Sequence, residues 1–310
     1  MSELFTQTVI IATLAATLRL AMPLLLAGLG EMFGQRSGVL NLGVEGVMLL
    51  GGFFAYWTTL NTDNPWLGLL AGFGVGIVMG LFYGFITVTL KAEQGISGIG
   101  IFLFGLGMSD LLFQKIIGTP RLISPLAQVE IPLLSSIPII GEFAFTQRSI
   151  VYIAFLLVPV SWWVLNKTTF GLNVRAVGEN PAAADSLGVS VARTRYTTLM
   201  IGGMMAGLAG AGLVLTTGTF QQNFTAGRGF IAIALVYFGA WRPGGVMLGA
   251  LLFGFVQALV TQLKALEIVP VSSQDLYNMA PALITVLALV AVSQRIKPPA
   301  ALTKPFSRGG

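Results

Sequence analysis

The chain has 310 residues, 55% of them hydrophobic and only 9% charged, with a mean hydropathy of +0.84. An average soluble domain carries roughly 25% charged residues, so a soluble fold could not hide this much apolar surface. Cysteine and histidine are both absent, which removes a thiol nucleophile, a disulfide framework, the commonest metal ligand and the usual general base near neutral pH. A net charge of +5 would suit nucleic acid only if it were clustered; here the basic residues lie scattered between apolar runs, so no nucleic-acid partner is expected and they read as topology signals in membrane lipid.

With about 20 apolar residues per span and short loops, the length allows on the order of eight to ten spans, and the expected fold is an all-α polytopic bundle forming one transmembrane domain over 1–310. Apolar runs between polar breaks fall at 6–30, 39–60, 66–90, 96–117, 149–165, 197–217, 229–241, 244–264 and 276–294. No Lys or Arg precedes Arg19 and Glu3 stands near the start, so the first run lacks the basic flank of a signal peptide and is expected to stay in the mature protein. The run 229–241 is too short to cross about 30 Å of hydrocarbon as a straight helix, which predicts a re-entrant or broken helix.

Placing 166–196 in the cytoplasm puts Arg36, Lys91, Lys167, Arg175, Arg193, Arg195, Arg242, Arg295, Lys297, Lys304 and Arg308 inside. Lys115, Arg121, Arg148, Arg228 and Lys264 are then outside, with Arg19 in a span. This asymmetry favours a cytoplasmic C-terminus in a plasma (bacterial inner) membrane. The external segment 118–148 carries Pro120, Pro125, Pro132 and Pro138 between apolar residues and is expected to lie on the bundle or at the membrane interface. Residues 295–310 read as a disordered polar cytoplasmic tail.

Gly68, Gly72, Gly76, Gly80 and Gly84 recur every four residues and form one stripe along one helix, as do Gly203, Gly207 and Ala211 near 200–212. Such stripes let helix backbones approach closely inside a membrane. Glu45 and Asp110 are the acids expected within apolar spans. Asn41 and Glu45, four residues apart, are predicted to share a helix face, where the carboxylate must meet a partner, a cavity or the cytoplasmic boundary. A polar clasp between the first two spans, or a contact with solute, would serve.

After Gly171, Asn180-Pro181 opens a new helix with Asn as N-cap and Pro at the first position, and Gly188 supplies a C-terminal cap, predicting a helix over 181–187. Ala182, Ala183 and Leu187 would lie in an apolar cleft of a soluble partner, while Glu179 and Asp185 would reach basic residues at its rim. No G-x-x-x-x-G-K-[ST] sequence occurs, so energy from ATP would have to enter from another chain.

The stretch Ser37-Gly38-Val39-Leu40-Asn41-Leu42-Gly43-Val44-Glu45-Gly46 resembles a signature of ATP-binding cassette (ABC) importer permeases of the branched-chain amino acid and simple-sugar type. Ala176-Val177-Gly178-Glu179-Asn180-Pro181-Ala182-Ala183-Ala184 and Thr225-Ala226-Gly227-Arg228-Gly229-Phe230-Ile231-Ala232-Ile233-Ala234 are most similar to the nucleoside (purine) branch. The resemblance implies a non-enzymatic transport subunit with no cofactor of its own, ATP and Mg being bound by partner ATPase subunits. It further implies a second permease subunit, an extracytoplasmic substrate-binding protein and a small-molecule solute.

By polarity, aromaticity and depth, Asn41, Glu45, Phe53, Tyr56, Phe85, Phe102, Phe104, Phe220, Gln221, Asn223 and Gln257 are pathway candidates; rings suit stacking on a planar base and amides its hydrogen-bonding edge. The competing readings are a stand-alone secondary transporter or channel, and an ABC permease for branched-chain amino acids. Secondary transporters often place ionisable relays in several spans, a sparse inventory here. The charge asymmetry predicts that a reporter fused after Arg308 reads as cytoplasmic and that Ser135→Cys is labelled by an impermeant maleimide from outside; an external reporter would reverse every side assignment.

Overall fold

A computed structural model describes residues 6–132, 134–138, 140–266, 279, 283, 287 and 297–307. Among the described residues the chain forms helices α1 (Gln7–Arg36), α2 (Val44–Thr62), α3 (Pro65–Gly84), α4 (Gln94–Leu112), α5 (Ile140–Ala144), α6 (Ser149–Lys167), α7 (Thr169–Glu179), α8 (Pro181–Ser186), α9 (Val191–Thr217), α10 (Arg228–Phe238) and α11 (Pro243–Ala265). Helices α3 and α4 each run on into one π-helical turn, Phe85–Thr89 and Phe113–Ile117.

The boundaries follow from local chemistry. The first run is one helix of 30 residues that ends only where Gly38 takes φ +91°. Asn64 opens α3 by accepting from Trp66 and Leu67 N–H, with Pro65 at the first position. Glu93 opens α4 by accepting from Gly95 and Ile96 N–H, and those two bonds hold its carboxyl below the usual carboxylate range.

Among the described residues six helices are long and apolar enough to cross a membrane: α1, α3 and α4 with their π turns, α6, α9 and α11. That is fewer than the eight to ten spans expected. Helix α2 has 19 residues but carries Glu45 and the polar end Thr58-Thr59-Leu60-Asn61-Thr62, and α10 has only 11 residues. The expected span 276–294 lies outside the described residues apart from Met279, Leu283 and Leu287.

Helix α1 is apolar on every side, and all residues from Ala21 to Gln35 are buried, so it runs through the centre of the bundle. Helix α9 packs on α1, α2 and α3. Its small residues set the spacing: a methyl group at Gly76 would collide with the Gly203 carbonyl, one at Gly80 with the Leu199 carbonyl, and one at Gly72 would stand 2.6 Å from Ala211 Cβ. Gly68 faces Thr59 and Ala55 of α2, and Gly84 faces the Tyr196 ring. The two small-residue stripes therefore meet each other, and other faces of α9 use Gly210 against Met48 of α2 and Gly202 against Gly30 of α1.

Two parts differ from the sequence expectations. The segment 118–148, expected to be external, contains a two-stranded antiparallel ribbon, β1 (Gln128–Glu130) on β2 (Thr146–Arg148), with α5 between the strands. It lies on the bundle, where Ile123 N–H and Leu126 N–H donate to the Gly218 and Leu215 carbonyls at the end of α9. The C-terminal residues expected to be disordered are instead docked over 297–307. Ala301 is 3% exposed and its N–H donates to the Gly178 carbonyl, while Thr303 N–H donates to the Gly38 carbonyl. A polar, proline-containing sequence hid this because the contacts are mostly main-chain.

Replacing Gly76 by Leu forces the α3 and α9 backbones apart, with an overpacking cost of about 3 kcal/mol. The expected result is a smaller monodisperse peak after detergent extraction and a lower unfolding midpoint; wild-type values for both would show that the two backbones need not touch.

Candidate functional site

The polar groups inside the bundle gather around the segment joining α1 to α2 and the start of α2. Glu45, in the first turn of α2, is 1% exposed. Its Oε1 accepts from Thr225 Oγ1 at 2.6 Å and Gly227 N–H at 2.7 Å, and its Oε2 from Gly229 N–H at 2.5 Å. The donors converge because the chain before α10 curls tightly, with positive φ at Asn223 (51°), Ala226 (47°) and Gly227 (82°). Gly229 lies in the first turn of α10, where free amides and the helix dipole favour a carboxylate. A Cβ at Gly229 would stand 2.6 Å from Glu45 Cα, so the approach requires glycine. The clasp therefore joins α2 to the α10 entry, rather than the first two spans to each other.

Asn41 does not share a helix face with Glu45, because α2 begins only at Val44. Its Oδ1 instead accepts from Gly43 N–H at 2.9 Å in the preceding turn. Its own N–H donates at 2.9 Å to Glu31 Oε1, which also accepts from Gln35 Nε2 at 3.0 Å. Gln35 Oε1 accepts from Trp241 Nε1 at 2.8 Å. On the other side, Gln94 Oε1 accepts from Leu40 N–H, and Tyr83 Oη hydrogen-bonds to the Leu40 and Gln94 carbonyls. Glu31, 2% exposed, is thus a further acid within the bundle, just past the apolar run 6–30 and not among the acids expected there; its signal was Gln35 four residues on. Asp110 of α4 has Oδ1 buried without a hydrogen-bond partner among the described residues.

The aromatic candidates divide. Phe53, Tyr56 and Phe220 are fully buried, and the Phe220 ring lies 5.8 Å from Phe53 in an edge-on contact and, tilted, 5.7 Å from Tyr56 and 5.2 Å from Phe113 between ring centroids. The Tyr56 hydroxyl is tied to the Arg121 main chain at 2.8 Å. These rings are closed core in this conformation. Phe102 packs edge-on against Phe230 at 5.1 Å, Gln221 and Asn223 are exposed beside the buried group, and Phe85 and Phe104 point outward. Gln257 stands apart on α11.

On the basic end, α7 and α8 form an elbow within 166–196. Asn180 Oδ1 accepts from Ala183 N–H at 3.0 Å, Pro181 is the first residue of α8, and Gly188 leaves it at φ +86°. Ser190 then caps α9 by accepting from Arg193 N–H. Ala184 is 3% exposed against Val177 and Val191, whereas Ala182, Ala183 and Glu179 are exposed and Leu187 is 84% exposed. Leu187 is thus held outward beside the cap, on the same end as Arg36, Arg175 and Arg242.

A family model described as branched-chain amino acid transport system / permease component matches residues 13–291. The chain belongs to this permease family. It is similar to a putative glucose ABC transporter permease protein of Haloferax volcanii, 41% identical over 82% of this chain and 78% of the relative. A guanosine ABC transporter permease protein of Bacillus subtilis is 36% identical over 95% of this chain and 96% of its own length. A second guanosine ABC transporter permease protein of the same bacterium is 30% identical over 77% of this chain and 70% of its own. No solved structure matches the chain significantly.

Glu45→Gln in this permease keeps the shape but turns an amide toward backbone N–H donors. Hydrogen bonds to a charged acceptor contribute about 1.5–3 kcal/mol each, so the variant is expected to lose about 3 kcal/mol, and Thr225→Val about 1 kcal/mol. Unfolding midpoints of the detergent-purified chain should fall in that order; two unchanged midpoints would remove the clasp from the account.

Proposed function

We propose that this chain is the membrane-spanning subunit of an ABC importer, forming the translocation pathway for a nucleoside or simple-sugar-like solute and driven by separate ATPase subunits. The single observation that carries the reading is α8: a capped six-residue helix that buries Ala184 and presents Ala182, Ala183 and Leu187 outward, in a chain of a permease family. A permease without its own nucleotide site must receive motion through a rigid element that moves with its partner. The ATPase docks on Ala182, Ala183 and Leu187, with Glu179 and Asp185 at the rim of the contact. ATP and Mg are bound by that partner.

The basic asymmetry supports a cytoplasmic α8 and C-terminus. The six apolar helices, with α2, α10 and the apolar run 276–294, support eight to ten membrane segments in all. Two guanosine permease proteins in one bacterium, both similar to this chain, support pairing with a second permease, and an extracytoplasmic binding protein delivers the solute. A nucleoside or sugar fits the names of the relatives, and amides such as Gln221 and Asn223 fit its polar edge.

Ala183→Arg in α8 and Leu187→Asp at its C-cap change only exposed positions, so the membrane domain should still fold. Each is expected to reduce ATPase co-purification and uptake at least tenfold while docking of the binding protein outside survives. Wild-type association and uptake in both variants would rule out α8 as the coupling element.

A further inference from the structure

The contacts that hold α8 in place are few and specific. Its one buried side chain, Ala184, belongs to a small apolar cluster with Val177 and Val191 that is separate from the main core, and Phe306 from the C-terminal segment packs against that cluster. The same segment is pinned along its length. Ala301 N–H donates at 2.9 Å to the Gly178 carbonyl near the end of α7, Thr303 N–H at 3.2 Å to the Gly38 carbonyl in the turn after α1, and Lys91 Nζ at 3.0 Å to Ser307 Oγ. Leu302, 8% exposed, reaches the main core.

Arg195 joins these pieces. It is 2% exposed near the start of α9, and its Nε donates at 3.2 Å to the Ser37 carbonyl while Nη1 donates at 3.2 Å to the Lys304 carbonyl. Both of these acceptors are main-chain carbonyls, and Nη2 has no hydrogen-bond partner among the described residues. A buried guanidinium held by carbonyls alone contributes little net stability. What it does supply is a planar fork that spans two chain segments at once, which a lysine ammonium cannot reproduce.

We infer that Arg195 and residues 301–306 are positioning elements for coupling: they fasten α8 and the end of α7 to the Ser37–Gly43 turn, so that these parts move as one body. The inference rests on the coupling reading of α8. The turn continues through Asn41 to Glu31 and leads into α2 and the Glu45 clasp, so displacement of α8 by the ATPase arrives at the α2 entry instead of being absorbed in the elbow.

The absence of native cysteine allows a direct test in the complex assembled with its ATPase subunits. Leu40→Cys, half-buried in the turn, reports by its maleimide labelling rate with and without ATP and Mg. Nucleotide is expected to change that rate in the otherwise wild-type chain. In chains terminated after Pro299, or carrying Arg195→Lys or Ala301→Pro, the change should shrink at least about fivefold while ATPase co-purification stays within twofold, since coupling energies of this kind correspond to roughly 5–150-fold effects.

A paired Ala184→Cys and Phe306→Cys chain should cross-link and keep the nucleotide response. Nucleotide insensitivity of Leu40→Cys, a full response in all three strap variants, loss of ATPase binding in step with the response, or a cross-link that fails to form or abolishes the response would each overturn the inference. Ala183→Arg run alongside separates the two ideas. If it too keeps the full response the coupling role of α8 fails, and if it alone loses the response only the strap fails.

Discussion

The architecture depends on how close the α3 and α9 backbones come. In lipid no hydrophobic force drives one apolar helix onto another, so association rests on dispersion and main-chain contact. Glycine every fourth residue on α3 gives a continuous groove, and Gly203, Gly207 and Ala211 of α9 enter it until α-carbons of one helix face carbonyl oxygens of the other. With α9 held there, its remaining small residues seat α1 and α2, and the buried centre of α1 becomes the axis around which the bundle forms.

A bundle packed this tightly can enclose charge only where donors are already in place. Glu45 and Glu31 accept hydrogen bonds from main-chain amides, a hydroxyl and an amide side chain, with no arginine or lysine among their hydrogen-bond donors within the described residues. Amides at a helix start cost no side-chain entropy to align and keep the site narrow. The result is a chain of contacts from the α1–α2 turn to the α10 entry that lies beside the closed aromatic group of Phe53, Tyr56 and Phe220. In the proposed importer, opening a pathway there would mean moving helices that share these carboxylates, which a remote ATPase would do through a stiff connection.

Much of this was readable in the residues because it is local. The four-residue glycine period, the Asn180-Pro181 start and the Gly188 exit each state their geometry within one or two turns. Other features are tertiary and left little local trace. Glu45 is separated from Thr225 by 180 residues, and no pattern in either segment names the other. Asn41 misled because the Ser37–Gly43 turn delays α2, which broke the expected helical register with Glu45. Glu31 was not among the acids expected within the spans because the apolar run stops at residue 30, while the structure carries α1 on to Arg36. Helix α2 does not stand out as a span because threonine and asparagine at its end dilute its apolar run, and the tail looked disordered because its hydrogen bonds come mainly from its backbone.

The most direct test of the account is uptake of radiolabelled guanosine and of glucose into liposomes, comparing this chain alone with the full assembly of second permease, ATPase subunits and binding protein, each with and without ATP. The account predicts that the chain alone moves neither solute and that the assembly accumulates one of them only when ATP is present on the side of α8. Accumulation by the chain alone, at the same rate without ATP, would contradict it.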